Sequence, residues 1–550
     1  MKKTIIYTVL VLMILVFQLI TQAQIGTGIE WQACYGSKWS ESLNNACQTP
    51  DGGYILVGIS PGDSVGGIWT TNYGDSDFAV IRIDSVGNVV WSKTYGGDKL
   101  DGAYAITKGI RPNRYYIAGV SRSESSTNYH SPSTNGDAWM IAINDAGDLI
   151  WQRCYGGYKG DVFEAVVQIN DSNVVYGIGS TGSDIDEGDV TGVSADANPE
   201  AWICKIDANT GMLIKAKAYG GTRTDMLFRA IPRSNSFIAM GWTESKDHDV
   251  WNYYGAHASN GWILNIDTAL NIIWQKSIGS SGGGKIIEII NTSDGGFAVL
   301  GSTINNAGDT SMFNFMVSNM PNSTNPKREA FIIKYNNMGQ QEWQQHYAAP
   351  MDQIEVNKGF TQMTDGGYVF SSNVSKWNGF VMWPYNHGTV IFKTDSAGNL
   401  ISAGRYGNGS GSYISSYNFF STDDNKLVFI GVTTAGTGIT CTNISTFNGS
   451  GFWHVFKIGH SLGVEEIKQE YSPIKVFPNP ATTQITLDLG AQNQKIESVN
   501  IFTVAGQKVL ILNNVQSDEP IDVQSLKPGI YLLEGALKSG ERFVGKFVRE

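Results

Sequence analysis

The sequence predicts an all-β chain: a seven-bladed β-propeller with four-stranded blades, an N-terminal strand closing the last blade, and then a small C-terminal β-sandwich. Three observations predict it. A phrase built on Trp-x-x-x-Tyr-Gly-Gly returns seven times, as WQACYGS at 31, WSKTYGG at 91, WQRCYGG at 151, KAKAYGG at 215, WQKSIGS at 274, WQQHYAA at 343 and SAGRYGN at 402. Its intervals are 60, 60, 64, 59, 69 and 59 residues, the mark of a repeat architecture. Between the phrases lie short runs of β-branched and aromatic residues bounded by Gly, Asp and Asn, which read as strands and turns.

The chain opens on MKKTIIYTVLVLMILVFQLITQAQ. Two lysines precede an apolar run from Ile5 to Ile20, and Thr21 and Ala23 offer a small-x-small site before Gln24. Residues 1–23 therefore read as a cleaved secretory signal peptide, with a membrane anchor as the alternative. No Cys stands at the cleavage point, which argues against a lipoprotein. No later stretch reaches the length needed to span a bilayer, so no transmembrane segment is expected in the mature chain.

Residues 24–460 hold the repeat. In each unit a short strand follows the phrase, as in DGAYAITK. A second follows a turn, as in NVVYGIGS, then a longer variable loop, then a third strand such as DAWMIAIN or EAWICKID. A tight turn such as SVGN leads into the fourth strand, which carries the next phrase. Its Trp is expected to cover the neighbouring blade, and its glycines to permit positive φ where one blade turns into the next. Four-stranded antiparallel units at a fixed period indicate a propeller. The ends also match. The phrase at 31 precedes any complete unit, and the last third strand, GFWHVFKIG (451–459), has no phrase after it. GIEWQACYG (28–36) should therefore serve as the outer strand of the seventh blade and remove the exposed edges.

At the level of the repeat, residues 28–460 resemble the Gly-Asp-rich propellers common among secreted proteins of the Bacteroidetes type. DANTGMLIK (207–215) resembles the docking motif of quinoprotein propellers, a likeness of packing that implies no quinone.

The polar stretch 461–472 reads as a linker. Residues 473–550 alternate with period two in QITLDL and VNIFTV, with turns at Ala505-Gly506 and Pro528-Gly529, and read as the sandwich. Pro478-Asn479-Pro480, the VAGQKV turn with Gly506, LKPGIYLL with Gly529 and Tyr531, and the final Lys546-Phe547-Val548 resemble the type A C-terminal sorting domain of type IX secretion. That resemblance implies the type IX secretion machinery as a partner and an extracellular or outer-surface location.

The formal net charge is −11, and loss of Lys2 and Lys3 with the leader takes it to −13. An acidic chain without a basic stripe repels phosphate backbones, so nucleic acid is not an expected partner. Cys34, Cys47, Cys154, Cys204 and Cys441 match no zinc spacing, and all five read as small buried hydrophobes.

The variable loops share one face of the ring and are rich in aromatics: Trp69 and Tyr73, Tyr129, Trp251, Tyr253 and Tyr254, Phe313 and Phe315, Trp377, Phe380, Trp383 and Tyr385. Such rings stack on sugars or anchor protein partners, or else the loops bury them. Trp69, Trp251, Tyr253, Trp377 and Trp383 are the candidate ligand-binding residues. Asp184, Asp186 and Asp189 in GSDIDEGDVTG could hold calcium, the one cofactor the sequence admits, or could be solvated turn acids.

An acid also recurs six residues after the phrase Tyr, at Glu41, Asp101, Asp161 and Asp225. It reads either as a partial carboxylate ring for a cation or as an acceptor for turn amides. Its repetition favours the second reading. GSSGG (279–283) lacks the strand–turn–helix of a nucleophile elbow, and the histidines are scattered. DSV (84–86), DTA (267–269) and DSA (395–397) resemble an O-glycosylation triplet but also suit ordinary turns.

No catalytic residue is assigned and no enzyme is expected. The function read from these residues is an extracellular binding module for glycan or protein. The alternatives are a polysaccharide-acting enzyme using channel-mouth acids, or a structural surface component.

Overall fold

The computed structural model describes residues 29–36, 41–61, 73–123, 135–171, 173–184, 187–191, 199–251, 253, 259–279, 284–305, 327–347, 352–376, 388–406, 414–433, 452–458, 471–489, 495–503, 508–516, 519–537 and 542–550. They form two compact units, split at Leu462/Gly463.

The first unit holds seven antiparallel four-stranded sheets. Blade one runs from Ser42 to Tyr95, two from Asp101 to Tyr155, three from Asp161 to Tyr219, four from Asp225 to Ile278, five from Gly284 to Tyr347 and six from Asp352 to Tyr406. Blade seven takes three strands from Ile414 to Ile458, and its outer strand is Ile29–Tyr35, paired from Ile29↔Ile458 to Tyr35↔Trp453. The N-terminal closure read from the repeat is therefore present. Blade seven also meets blade one: Asp423 N donates to Gln48 Oε1 at 2.9 Å, and the Tyr54 ring lies 6.0 Å from Phe420.

Middle strands are covered by neighbouring blades on both faces. Tyr115–Ser121 and Asp137–Ile143 are buried at every position, and this explains their continuous apolar runs. Each inner strand carries a register shift at the same place, at Asn44, Tyr104, Glu164, Phe228, Ile287, Asn357–Gly359 and Tyr417. A bulge at this point increases local twist.

The repeated phrase is a blade-to-blade latch. Its Trp is the third residue of the seven-residue outer strand, not the last, as in Val89–Tyr95. Trp31, Trp91, Trp151, Trp274 and Trp343 each lie against a turn glycine of the next blade: Gly87, Gly147, Gly211, Gly339 and Gly398. These glycines have φ between +72° and +89°, and a Cβ on Gly211 would sit 2.6 Å from Trp151. The phrase Tyr then bonds the same turn. Tyr35, Tyr95, Tyr155 and Tyr347 donate to the carbonyls of Gly87, Gly147, Gly211 and Gly398 at 2.5–2.7 Å. Burial pushes these phenols up, so each stays a neutral donor.

Blade three departs from this pattern in two coupled ways. Lys215 stands where the Trp would be, and the turn residue it faces in blade four is Leu270, at φ +68° and fully buried. The leucine occupies the latch without the indole, while Lys215 Nζ donates to Ala269 O at 2.8 Å and Tyr219 to Leu270 O at 2.9 Å.

Cysteine chemistry corrects one expectation. Cys34, on the closing strand, is disulfide-bonded, not simply a buried hydrophobe. Cys47, Cys154 and Cys204 are thiols outside any disulfide. Cys441 lies outside the described residues.

The second unit is a sandwich. A five-stranded sheet runs in the order Tyr471–Pro473, Arg542–Arg549, Gly529–Leu537, Lys495–Thr503, Lys508–Gln516. A three-stranded one joins Lys475–Phe477, Gln484–Asp488 and Ile521–Asp522. It begins two residues before 473, because Tyr471–Pro473 pairs in parallel with Arg542–Val544. Val476, Ile485, Val499, Ile501, Leu533, Phe543 and Phe547 fill its core.

Candidate functional site

The blade-to-blade turns and the second-to-third-strand loops are stitched together on one face of the ring. In blade four, Arg223 N donates to Ser245 Oγ and Thr222 N to Asp247 Oδ1, both at 2.9 Å, and Asp249 N to Gly220 O at 3.0 Å. In blade three, Lys159 N donates to Ser183 Oγ at 2.9 Å and Asp189 N to Gly156 O at 2.9 Å. Gly188 at φ +57° and His248 at φ +51° make the same left-handed step in the two loops. The ends of these loops are thus held on rigid strands.

Trp251 stands on such a held segment. Its N–H donates to Gln275 Oε1 at 3.2 Å and its carbonyl accepts Ser277 Oγ at 3.3 Å. Gln275 is fixed in turn by Trp262 Nε1 at 2.9 Å. The Trp251 residue is nevertheless 60% exposed. Tyr253 is half-buried, with Lys246 Nζ 5.0 Å from its ring centre. Tyr73 is 56% exposed, its N–H donating to Asp77 Oδ2 at 2.8 Å. Trp69, Trp377 and Trp383 lie outside the described residues, as do Tyr129, Tyr254, Phe313, Phe315, Phe380 and Tyr385.

The candidate calcium segment is partly described. Asp184 Oδ1 is paired with Lys159 Nζ at 2.6 Å, and Asp186 is outside the described residues. Among the described residues, no group of three His, Cys, Asp or Glu side chains is placed to hold a metal ion. His454 is buried and His346 half-buried, and desolvation pushes both down to about 4, so they are neutral at pH 7.

The recurring acids are all buried. Asp161 Oδ2 accepts Gly157 N at 2.9 Å and Ser183 Oγ at 3.0 Å, and its Oδ1 accepts the Thr181 hydroxyl. Asp101 and Asp225 repeat the pattern with Gly97 N and Ser123 Oγ, and with Gly221 N and Ser245 Oγ. These are turn acceptors, the second of the two roles read from the sequence. The triplets at 84, 267 and 395 also sit in ordinary turns: Asp84 Oδ1 accepts Val86 N and Asn88 N at 3.0 and 2.8 Å, and Asp267 and Asp395 do the same. Of GSSGG, only Gly279 is described.

Sequence reasoning missed a second set of acids. Asp137 and Glu200 stand first, and Asp77 second, in the third strands of blades two, three and one, and all three are buried at the junctions with the next blade. A signal was present: DFAVIRID, DAWMIAIN and EAWICKID each open on an acid or directly after one. A charged group of inner-strand residues was missed as well. Arg229 Nε lies 2.8 Å from Glu288 Oε2. The Arg229 charge first, and burial second, push Lys358 down to about 8, while Glu164 and Glu288 oppose them.

In the sandwich the motif residues are structural. Asn479 Oδ1 accepts Val548 N at 2.9 Å and its Nδ2 donates to Lys546 O at 3.2 Å, tying Pro478-Asn479-Pro480 to the last strand. Both prolines follow cis peptide bonds. Gly529 opens the strand that carries Tyr531, whose hydroxyl donates to Lys527 O at 2.7 Å while its ring stacks on Phe547. Gly506 is outside the described residues.

Fold and motif together define a seven-bladed propeller carrying a C-terminal sorting domain. Residues 475–549 match the family described as the secretion system C-terminal sorting domain, and the sandwich is the sorting domain of type IX secretion. No curated protein sequence matches the chain at a significant level.

Similar solved structures include the Pan2 WD40 domain of Neurospora crassa, at 9% identity over 76% of this chain and 89% of that one, with a TM-score of 0.38. A protein of unknown function from Dyadobacter fermentans is 8% identical over 78% and 99%, with a TM-score of 0.36. The plexin A4 extracellular region is 7% identical over 94% and 67%, with a TM-score of 0.42. Among the described residues no helix is long and apolar enough to cross a membrane.

Proposed function

We propose that this protein is an extracellular or surface-displayed binding module. On this reading it is exported as a signal-peptide precursor through its type IX sorting domain. It engages glycan or protein through the aromatic loop face of the propeller. The observation that carries the proposal is Trp251: its backbone is fixed by Gln275 and Ser277 while its side chain stands in water. A large exposed aromatic on a pre-ordered segment can stack on a sugar ring or enter a partner's pocket at little entropic cost. Binding is favoured over catalysis because the acids that repeat around the ring are occupied by turn amides and hydroxyls.

The test is binding of the purified mature chain to a glycan array, beside a Trp251→Ala variant and a Trp251→Ala, Trp377→Ala, Trp383→Ala variant. The expected result is specific binding that weakens about tenfold or more in the single variant and is lost in the triple one. The reading requires no cofactor, so calcium chelation should leave binding unchanged. Binding retained in full by the triple variant would remove the loop face from the account.

A further inference from the structure

We propose that the junction into blade four is closed by a carboxylic acid–carboxylate hydrogen bond from Glu200 to Asp225, so that the loop face above it is weakened in alkali, and that Asp77 and Asp101 form the same bond, in acid only, at the junction into blade two. The two acids of each pair come from different blades and meet over one glycine. A Cβ on Gly220 would overlap Glu200 Oε2 and lie 2.5 Å from Asp225 Oδ2. A Cβ on Gly96 would overlap Asp77 Oδ1 and lie 2.7 Å from Asp101 Oδ2. All four carboxyls are at least nine-tenths buried.

The proton can be placed. Asp101 Oδ2 accepts Gly97 N and Ser123 Oγ, both at 2.8 Å, and Asp225 Oδ2 accepts Gly221 N at 2.9 Å and Ser245 Oγ at 2.7 Å. Burial holds Asp101 and Asp225 up as well, but the donors aimed at these oxygens oppose it and favour the ionised form. Asp77 Oδ1 and Glu200 Oε2 have no hydrogen-bond partner among the described residues; Asp225 Oδ1 has none either, but its Oδ2 already gathers two donors. An ionised oxygen buried without a donor is costly, and two carboxylates in one buried site cannot both ionise cheaply. A proton on Asp77 or Glu200 removes both penalties and supplies the missing donor. Burial, then the charge of Asp101, holds Asp77 up at about 6. Burial, then the charges of Asp225, Asp249 and Asp247, holds Glu200 up at about 9.

The next junction supplies a control within the same chain. The residue corresponding to Glu200 is Asn260, and the residue corresponding to Asp225 is Gly284. A Cβ on Gly279 would overlap Asn260 Oδ1 just as one on Gly220 overlaps Glu200. Where the second carboxyl is absent, the first is replaced by an amide, which needs no proton.

Both acids titrate higher in the folded chain than in the unfolded one. Their stabilisation is complete below the ordinary carboxylate range and declines as pH rises. It is gone above about 6 for Asp77 and above about 9 for Glu200. Above that point Glu200, Asp225, Asp247 and Asp249 are all charged, beneath and within the loop that carries Trp251.

The test is an infrared titration of the mature chain from about pH 4 to about pH 10, with Glu200→Gln alongside for the upper transition and Asp77→Asn for the lower one. A protonated-carboxyl carbonyl band is expected in the wild type at pH 7, fading as pH passes about 9. It should be absent from Glu200→Gln at pH 8. The thermal midpoint of Glu200→Gln minus that of wild type should grow from pH 5 to pH 9 and then level off. A wild type without the band at pH 7 would overturn the proposal. So would a stoichiometric divalent cation, found by elemental analysis and lost in Glu200→Gln, because the pair would then hold a metal. If a variant does not fold, the wild-type titration decides alone.

Discussion

The junction between blades three and four and the one between blades four and five join the same kind of sheets by different chemistry. The first is polar: Asp225 gathers Gly221 N and Ser245 Oγ, Glu200 faces it, and Tyr219 donates to Leu270 O. The second has Gly284, Asn260 and Ile278 at those places. It is held by apolar packing of Ile278, Ile286, Ile289, Phe297 and Phe331, by the Trp274–Phe297 stack at 5.9 Å and by the Arg229–Glu288 pair. Polar latches and apolar packing can thus substitute for each other along one ring. This is how structural groups behave. A catalytic or metal-binding acid has no such substitute, and the comparison therefore assigns the repeated acids to the scaffold.

The largest effect is expected where the polar latch is most developed. Asp161→Ala leaves the Gly157 amide and the Ser183 and Thr181 hydroxyls without their acceptor in a buried site. The expected cost is about 3 kcal/mol or more, read as a lower thermal midpoint. Asp161→Asn should recover part of it. A midpoint unchanged in Asp161→Ala would mean that the acid is not part of the scaffold, and would reopen a ligand-binding role.

Gly211→Ala comes next. The substitution forces a side chain into φ +72° and against Trp151, for about 2–4 kcal/mol in total. Gly295 separates the two contributions, because it has φ +83° and nothing within 4 Å of a Cβ. Gly295→Ala should cost only about 1 kcal/mol. Equal effects at the two sites would show that the Trp contact adds nothing.

These contrasts also mark what was legible in the sequence. Blade number, the closing strand and the acceptor role of the recurring acids follow from periodicity alone, since each is repeated. The Asp77–Asp101 and Glu200–Asp225 pairs are not legible in this way. Their members are 24 and 25 residues apart and belong to different sheets, so only the ring geometry shows that they meet. The Cys34 disulfide was missed for a related reason: all five cysteines read as small buried hydrophobes, and spacing along the chain does not show which of them the ring brings together. The loop aromatics stood out by composition, but composition does not tell an exposed ring such as Trp251 from a half-buried one such as Tyr253.

The Lys215–Leu270 exchange sharpens the comparison by a smaller amount. If Leu270 fills the latch because Lys215 left it without an indole, then Lys215→Trp and Leu270→Gly should each destabilise. Their combination should recover about 1–2 kcal/mol relative to the sum of the singles. Additive effects in the double-mutant cycle would make the two departures independent.

The smallest expected effect isolates the hydroxyl of the phrase. Tyr155→Phe keeps the ring in place 5.6 Å from Phe163 and removes the donor to Gly211 O, for about 1 kcal/mol. Ile278 already shows a junction standing without that bond, so the fold should survive with a slightly lower midpoint. The value lies in the difference between junctions. Tyr219→Phe also strips the carbonyl of Leu270, a non-glycine residue held in the left-handed region. Such a residue persists only while its surroundings enforce it. Tyr219→Phe should therefore cost more than Tyr155→Phe, and Leu270→Gly should reduce the excess. Equal costs for the two tyrosines, with or without Leu270→Gly, would mean that packing alone holds Leu270 in its conformation.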